Sequence, residues 1–379
     1  MKQKQQTKPI ISAFAVAAVT FLAGLAVVSS LAATTSKEIE AEDATGAISI
    51  FDETASASHA MAFQAASETP VPPPPATGGN TVNVTDAASL QAALDGATPG
   101  SSIVMADGTY SGTFSIEKAA TADKPISLVG SRNAIIDGGD AKQSGYALHL
   151  KGADYWHLEG FTVTKRQKGV MVDNTQNATI EKLAVTAIGH EGIHLRSNSS
   201  NNTVTGNDVS NTGQDNIEYG EGIYVGSAKS NWGSTSAGNT IPTPDKSDNN
   251  KLLGNNIHDT GGESMDIKEG TTGGTISGNT FDGTGMGGPY ADSWIDMKGN
   301  NWTIDSNTGS NSKADGYQVH ANTASGSWGE NNVFSNNTIT AGVPGYGFNL
   351  GKTGDTNTVK CDNKAPGAAK GLSDVACKQ

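Results

Sequence analysis

Eight five-residue segments that share one alternation of apolar and polar side chains recur between residues 147 and 351. Their second and fourth residues are always apolar, and their third and fifth residues are usually polar. The interval between segments ranges from 22 residues (His149 to Met171) to 42 residues (Tyr224 to Asp266). The segments are Ala147–Lys151, Gly169–Asp173, Gly192–Arg196, Gly222–Gly226, Ser264–Lys268, Trp294–Lys298, Gly316–His320 and Gly347–Gly351.

This repeat predicts the architecture of the chain. Successive side chains of a strand point to opposite faces, so the second and fourth residues face a core and the third and fifth face outward. A globular domain with scattered strands would not keep one register over so many repeats. The 47 glycines and the low aromatic content of 6% suit short strands and turns better than helices. We therefore predict an all-β fold, a right-handed parallel β-helix in which the repeats stack as coils of a solenoid.

A second strand in each coil ends in asparagine. Stacked on one another, these side chains would form an internal ladder of hydrogen bonds along the solenoid axis. We assign them a structural role and no catalytic one. They are Asn207, Asn255, Asn279, Asn307 and Asn337.

The chain is predicted to have three parts. Residues 1–33 combine early lysines with a long apolar run, which predicts a signal peptide, with an uncleaved membrane anchor as the alternative. Residues 34–80 are rich in Ala, Ser, Thr and Pro and lack periodicity, so we expect a disordered, proline-rich linker. The β-helix domain then covers residues 81–379.

A short amphipathic helix is predicted at the start of the β-helix domain. Asp86 has the chemistry of an N-cap, and Leu90, Ala93 and Leu94 share one helical face. The first coil of a solenoid leaves its core open, and a helix with a polar outer face would cover it. We therefore expect a short N-terminal capping helix.

Charge and cysteine content limit the partners and the compartment. The formal net charge of −13 argues against nucleic-acid binding, which needs a basic face. The two cysteines, Cys361 and Cys377, are expected to form a disulfide that closes the last coil of an exported chain. We predict a secreted monomer, with attachment to the cell surface through the N-terminal segment as the alternative and no other membrane partner.

The N-terminal coils resemble those of a known group of proteins. The sequences SLQAALDGATPGSSIVMADGTYSGTFSI, KPISLVGSRNAIIDGG and YWHLEGFTV are similar to the first coils of secreted pectate-lyase-like β-helix proteins, above all the branch of chondroitinase B, alginate lyases and pectate lyases. The likeness extends over residues 81–360 as a coil pattern. It implies the β-helix fold and polysaccharide lyase activity. Lyases of this branch use a lysine base beside an arginine, which points to Lys268 or Lys298 with Arg196.

Stacking would turn aligned residues into columns with a spacing of about 4.8 Å. The third-position column is His149, Met171, His194, Tyr224, Asp266, Asp296, Gln318 and Asn349. The fifth-position column is Lys151, Asp173, Arg196, Gly226, Lys268, Lys298, His320 and Gly351. A bend column before the strands holds Glu191, Glu221 and Glu263, with Asp292 and Asp315 at nearby offsets. Titratable groups concentrate in the coils from Glu191 to His320, so we predict the functional groove there.

Three stacked glutamates need a counter-charge. Two carboxylates about 5 Å apart repel by roughly 3 kcal/mol at an effective dielectric constant of about 20. Either lysines and Arg196 neutralise the carboxylates, or a cation lies between them. Oxygen-rich clusters suit Ca²⁺. We predict Glu191, Glu221 and Glu263 as the ligands of a calcium ion.

The columns also supply the groups that β-elimination of an acidic, uronic-acid-containing polysaccharide needs. Ca²⁺ or Arg196 would neutralise the uronate carboxylate. Lys268 or Lys298 would act as the base, because repulsion between lysines on adjacent coils lowers the pKa of at least one of them. Tyr224 or His194 would protonate the leaving oxygen. The residues leave open which lysine is the base.

Two other functions stay open at this stage. Asp266 and Asp296, on adjacent coils, would place their carboxyl groups about 5 Å apart, near the spacing found in retaining glycoside hydrolases. The motifs typical of pectin-type hydrolases on this fold are missing from the sequence, which favours elimination. The other alternative is a non-catalytic carbohydrate-binding surface protein.

Four residues are assigned to substrate binding. Trp232 lies in the long stretch between the fourth and fifth segments, and Tyr290 lies in a glycine-rich loop. Their flat faces can stack on sugar rings. Gln318 and His320 supply hydrogen-bonding groups from the third-position and fifth-position columns.

Overall fold

The computed structural model describes residues 80–236 and 238–379. The predictions of a signal peptide or anchor (residues 1–33) and of a linker (residues 34–80) lie outside these described residues, apart from Asn80. Within the described part, the chain forms three long parallel sheets, one two-stranded hairpin and a single α-helix. The all-β, right-handed parallel β-helix is confirmed.

The three sheets take one strand each from successive coils. Sheet 1 has 11 strands: Thr81–Val84, Ser102–Met105, Ile126–Gly130, Trp156–Glu159, Thr179–Glu181, Thr203–Thr205, Lys251–Leu253, Thr275–Ser277, Thr303–Asp305, Val333–Ser335 and Thr358–Val359. Sheet 2 has 9 strands: Gly108–Ser111, Ala134–Asp137, Thr162–Thr164, Ala184–Thr186, Asp208–Ser210, Asn256–His258, Thr280–Asp282, Thr308–Ser310 and Thr338–Ala341. Sheet 3 has 9 strands: Phe114–Ile116, Tyr146–Lys151, Lys168–Asp173, Ile193–Arg196, Ile223–Val225, Met265–Ile267, Ile295–Met297, Tyr317–Val319 and Phe348–Asn349.

Short elements lie in the connections between the sheets. Three 3₁₀-helices are Ile217–Tyr219, Lys229–Asn231 and Gly351–Thr353. The hairpin pairs Thr235–Ser236 with Asn239–Thr240. None of the helices in the described residues is both long and apolar enough to cross a membrane.

The register of sheet 3 is the one that the repeat predicts. Ile193 pairs with Ile223, and Ile223 pairs with Met265. The inward side chains of all three sheets are buried and form one continuous core. Tyr317, which the alternation places inward, is buried there, and so is Trp294, which immediately precedes the strand Ile295–Met297. Because the inward residues are fixed, the remaining residues of each sheet 3 strand must face outward in columns.

The predicted capping helix is present as α1 (Ala87–Asp95). The Asp86 carboxylate accepts a hydrogen bond from the backbone N–H of Ser89 at 2.8 Å, and the Ser89 hydroxyl accepts one from the backbone N–H of Asp86 at 3.1 Å. Leu90 and Leu94 are buried, and Ala93 is half-buried. The helix packs on the first strands and covers the open end of the core.

The asparagine ladder is confirmed. The side-chain N–H of Asn207 donates to the Asn255 amide oxygen at 2.9 Å, and the same bond repeats at each following coil. The ladder continues one coil further than the sequence analysis proposed, to Asn363. A second column of stacked asparagines, which includes Asn202 and Asn250, was not predicted. Each ladder supplies partners for buried polar groups at a tight bend, which is a structural role.

The two cysteines close the last coil as predicted. Cys361 and Cys377 form a disulfide with an S–S distance of 2.06 Å. The backbone N–H of Cys361 donates to the carbonyl of Lys378, which ties the C-terminal segment to the final coil.

Candidate active site

A groove lies over the outward face of sheet 3. His194 pairs with Tyr224, Tyr224 with Asp266, and Asp266 with Asp296, so the third-position column is the predicted one. The strands are parallel, so the loops that precede them lie at one edge of the sheet and the loops that follow them lie at the other. The floor of the groove is formed by His194, Arg196, Tyr224, Asp266, Lys268, Asp296, Lys298 and His320.

Two walls rise from these edges. The first wall consists of the loops before the strands and includes Glu218, Tyr219, Pro289 and Tyr290. The second wall belongs to the loop after the strand Ile223–Val225 and includes Ser227, Ala228, Ser230 and Asn231. The site is therefore an open trench along the solenoid axis, a shape that suits a polymer.

Three buried carboxylates form a cluster on the first side of the groove. Glu221, Glu263 and Asp266 each place one oxygen within 4.8 Å of the others. Among the described residues, Glu221 Oε2 and Asp266 Oδ1 have no hydrogen-bond partner. Burial and the neighbouring carboxylates raise the pKa of Glu263 to about 8 and the pKa of Glu221 well above its usual value. This carboxylate cluster can accept protons or a cation.

Glu191 does not belong to the carboxylate cluster, which corrects the predicted ligand set. Its carboxylate accepts a hydrogen bond from Lys168 Nζ at 2.6 Å and lies 3.5 Å from His194 Nδ1. Although burial opposes ionisation, Lys168 and His194 hold the pKa of Glu191 well below its usual range. Glu191 is already neutralised by these neighbours, and Asp266 takes its place in the cluster.

Lys268 and Lys298 lie side by side, as predicted, but their electrostatic state differs from the prediction. Lys268 forms an ion pair with Asp266, and Lys298 forms one with Asp296 while also lying 3.5 Å from Asp266. Burial lowers the pKa of both lysines, but the two aspartates outweigh burial and raise it overall. The predicted lowering by mutual repulsion is wrong, because each lysine is closer to a carboxylate than the sequence pattern indicated.

Tyr224 and His194 form the centre of the groove floor. Their rings are 4.3 Å apart, and Lys268 Nζ lies 4.9 Å from the centre of the Tyr224 ring. Burial, followed by Asp266 and Glu221, raises the pKa of Tyr224 well above its usual value. Burial lowers the pKa of His194, whose Nε2–H donates to the carbonyl of Gly226 at 2.9 Å. Tyr224 is therefore held as a neutral phenol.

A second group of buried residues holds Arg196 in place through hydrogen bonds. Asp173 is fully buried and accepts hydrogen bonds from Arg196 Nε at 2.7 Å and from His149 Nε2 at 2.9 Å. Arg196 also donates to the Tyr146 hydroxyl at 2.9 Å. We call these four residues the Asp173 cluster. It fixes Arg196 so that this side chain lines the groove.

Two of the four predicted substrate-binding residues line the groove and two do not. Tyr290 and His320 line it. Trp232 lies outside, because its indole N–H donates to the Ser227 carbonyl at 2.9 Å and its ring packs against the backbone of Gly270. Gln318 is buried beside the groove and bonds to Asp315 and His320, so it orients other side chains instead of facing a ligand.

The sequence analysis missed several groove residues. Lys168 immediately precedes Gly169, so it belongs to the same bend column as Glu191 and Glu221, one coil earlier. Extending that column toward the N-terminus would have found it. Tyr219 and His190 also line the groove, but they lie in turns of irregular length where the repeat gives no signal.

Comparison with known proteins identifies the family of this β-helix. Residues 76–349 match the family model described as Pel9A-like, right handed beta helix region. A stretch of 133 residues is 31% identical to pectate lyase PEL9 of Emericella nidulans and covers 31% of this chain and 32% of that relative. The alignment thus spans about a third of the curated relative.

Solved structures extend the likeness over the whole solenoid. The alginate lyase of Paenibacillus sp. str. FPU-7 is 34% identical, with a TM-score of 0.69 over 78% of this chain and 99% of that chain. Pectate lyase Pel9A matches with a TM-score of 0.56 and 16% identity over 79% of each chain, a similarity of fold. The expected membership of the pectate-lyase-like superfamily is confirmed. The chain belongs to the Pel9A-like right-handed β-helix family.

Proposed function

We propose that this chain is a polysaccharide lyase that cleaves an acidic, uronic-acid-containing glycan by β-elimination in the groove. The observation that carries the proposal is the contact of Lys268 with the ring of Tyr224, because both side chains line the groove and elimination needs a base near an acid. Relatives that are named as pectate and alginate lyases support the reaction type.

In the proposed reaction, Lys268 acts in its uncharged form and takes the proton from C5 of a uronate. The electron pair of that C–H bond forms the C4=C5 double bond, and the bond from C4 to the glycosidic oxygen breaks. The leaving oxygen takes the phenolic proton of Tyr224, which burial keeps in place until then. Arg196 and Lys298 line the same groove and would neutralise the uronate carboxylate, which makes the C5 proton more acidic.

The electrostatics of Lys268 predict an alkaline pH dependence. Asp266 and Asp296 raise the pKa of Lys268 despite burial, so the uncharged form is scarce at neutral pH. Its fraction grows as the pH rises. We expect kcat/KM to climb by about tenfold per pH unit above neutrality. A plateau that begins near neutral pH would contradict a lysine base.

The alternative of a retaining hydrolase is less well supported. Such an enzyme needs one of its two carboxyl groups protonated as an acid. Burial opposes ionisation of Asp296, but Lys298 and His320 outweigh burial and lower its pKa, so Asp296 is a carboxylate. Asp266 is in turn ion-paired with Lys268. This arrangement favours elimination.

A substrate panel tests the reaction. Pectate, alginate, glycosaminoglycans and neutral glycans are each incubated with the protein, and both the ultraviolet absorbance of an unsaturated product and new reducing ends are measured. We expect both signals with at least one acidic glycan. Reducing ends without the absorbance would identify a hydrolase, and neither signal would favour a carbohydrate-binding protein.

A lysine variant tests the mechanism. Lys268→Ala is expected to lower turnover at least about a thousandfold, in the range that loss of a catalytic base costs. Lys151→Ala is the matched control, because Lys151 belongs to the same column, but it has no part in the proposed mechanism. Full activity of Lys268→Ala on every substrate that the wild type cleaves would refute the lysine base.

Calcium is proposed as the cation of the carboxylate cluster. The fit rests on the oxygen-only donor set and on the buried Glu221 Oε2, which has no hydrogen-bond partner among the described residues. When bound, the ion would neutralise carboxylates in the groove. After bound cations have been removed with EDTA, the addition of Ca²⁺ at 100 times its Kd should raise the unfolding free energy by about 2.7 kcal/mol. The same addition should leave the unfolding free energy of Glu263→Gln unchanged. Unchanged stability and activity in EDTA and in calcium would refute the proposal.

Export is proposed for the intact chain. Residues 1–33 have the composition of a signal peptide, and a disulfide such as Cys361–Cys377 persists in oxidising compartments. Detection of the protein in the cytoplasm with its N-terminal segment intact would contradict this proposal.

A further inference from the structure

The exposed apolar side chains of the molecule are concentrated at one place. In residues 80–236 and 238–379, the large hydrophobic residues that are exposed to solvent are Val82, Ile217, Tyr219 and Tyr290. The last three lie together in the loops of the first groove wall. Tyr219 is 50% exposed and Tyr290 is 76% exposed. A cluster of exposed apolar groups at the rim of a groove indicates a binding surface.

The two loops that carry these residues are packed together with the loop of the coil between them, which contains Gly261. The backbone N–H groups of Gly287 and Gly288 donate to the carbonyl of Gly261 at 3.1 and 2.9 Å. Ile217 fills the space beside these glycines, because a Cβ added at Gly261 or Gly287 would lie only 2.9 or 2.8 Å from its side chain. The wall is therefore a close-packed platform. A rigid platform loses little conformational entropy when a ligand binds.

The position of Tyr219 is also fixed. Its ring lies 5.2 Å from the ring of His190, and its backbone N–H donates to the carbonyl of Asn216 at 3.1 Å. His190 in turn lies 3.4 Å from the carboxylate of Asp215. Because Tyr219 lines the groove, the exposed part of this residue remains available to a ligand there.

Charge determines which face of a sugar this platform can accept. Glu218 and Asp292 line the same side of the groove as the two tyrosines, while Arg196, Lys268 and Lys298 line its floor toward the other edge. A uronate carboxylate would be repelled by the first group and attracted by the second. The apolar C–H face of the same pyranose ring has no charge and can pack on an aromatic side chain.

We propose that Tyr219 and Tyr290 form a sugar-stacking subsite for one pyranose ring of the glycan that is cleaved in the groove. The ring packs its C–H face on these tyrosines, and its carboxylate points away from Glu218 and Asp292. The subsite rests on the proposed function for the identity of the glycan, but it binds the ring without taking part in bond cleavage. It binds a sugar beyond the two whose linkage is broken, so it favours polymers over short oligosaccharides.

Binding without turnover tests the subsite. Hexasaccharides and trisaccharides of alginate and of polygalacturonate are titrated by calorimetry into Lys268→Ala protein that also carries Tyr219→Ala or Tyr290→Ala. We expect each alanine variant to raise the Kd of the bound hexasaccharide by about three- to tenfold, and Tyr219→Phe and Tyr290→Phe to keep the original Kd. The Kd of the trisaccharide should change less. Val82→Ala, at an exposed apolar position in the first strand of sheet 1, is the control and should leave the Kd unchanged.

The outcomes separate this proposal from the proposed function. An unchanged hexasaccharide Kd in both alanine variants, together with cleavage by the wild type, overturns the subsite and leaves the lyase intact. Failure of the wild type to bind or cleave any of these glycans overturns both. If sedimentation shows that the alanine variants turn an oligomer into a smaller species, the patch is a contact between copies of the chain, and the subsite is refuted.

Discussion

The carboxylate of the Asp173 cluster and those of the carboxylate cluster lie on the same face of sheet 3 and are in opposite electrostatic states. Asp173 is fully buried and accepts hydrogen bonds from His149, Arg196 and Ser197. Although burial opposes ionisation, His149 and Arg196 hold the pKa of Asp173 well below its usual range. Glu221 and Glu263 are almost as buried, yet burial and neighbouring carboxylates raise their pKa values. Burial alone therefore does not decide the state of a carboxyl group. Its partners do.

The difference distinguishes structural from functional charge. A buried ion pair whose hydrogen bonds are all made is stable in one protonation state and holds its neighbours in place. Buried carboxylates without partners are costly, and they persist where a ligand, a proton or a cation completes them. On this argument the Asp173 cluster is the rigid end of the groove, and the carboxylate cluster is the part that responds to its contents.

Removal of one carboxyl group from each group should affect stability differently. Asp173→Ala leaves Arg196 buried without its counter-charge, and we expect the unfolding free energy to fall by about 3–5 kcal/mol. Glu221→Gln removes a buried carboxyl that lacks partners, and we expect it to be neutral or stabilising at neutral pH. Urea unfolding of both variants in EDTA measures the difference. Equal destabilisation by the two variants would remove the basis of the comparison.

The pH dependence of stability should also separate the two groups. The pKa of Glu263 is about 8 in the folded state, well above the 4.5 of a free glutamate side chain, so the folded state holds a proton that the unfolded state has lost between these values. The unfolding free energy should therefore fall by about 1.4 kcal/mol per pH unit over this interval. Asp173, whose folded pKa is depressed, contributes stability that is present above its unfolded pKa and is lost only as the pH falls below it.

Glu263→Gln provides the measurement. Melting temperatures between about pH 5 and pH 8 in EDTA should fall with pH in the wild type and fall less in the variant. A variant at the Asp173 cluster should keep the wild-type slope, because Asp173 does not titrate in this window. If the melting temperature of the wild type does not change with pH, neighbouring groups neutralise Glu221 and Glu263, and the predicted difference between the two clusters is wrong.

The fold could be predicted from the sequence because the alternation that defines it is visible within each five-residue segment. The alternation within segments such as Ile193–Arg196 fixes which face each residue takes, and a slip by one residue would bury charges. The asparagine ladder was found for the same reason, since each member repeats at the end of a strand. The second ladder through Asn202 was missed although Asn202, Asn250 and Asn332 each lie five residues before a member of the first ladder. Gly274 and Trp302 take this position in the two coils between, which interrupts the pattern.

The site could be predicted only in part. The columns were correct, so Tyr224, Asp266 and Lys268 were expected to be neighbours. The pairings were not predicted, because the bend column was not extended back to Lys168, which pairs with Glu191 of the next coil. Trp232 was misplaced because the path of its loop is set by bonds to Ser227 and not by the repeat.

The smallest predicted effect concerns how the Asp173 cluster holds Arg196. Tyr146→Phe removes the hydroxyl that accepts a hydrogen bond from Arg196 but keeps the ring, whose centre lies 5.8 Å from the guanidinium carbon. Because Asp173 still accepts two hydrogen bonds from Arg196, we expect a loss of about 1 kcal/mol in stability and little change in kcat/KM. Equilibrium unfolding and steady-state kinetics on the same preparation measure both. A large loss of activity without a comparable loss of stability would mean that the hydroxyl orients Arg196 toward the substrate, and the rigid end of the groove would then itself belong to the catalytic apparatus.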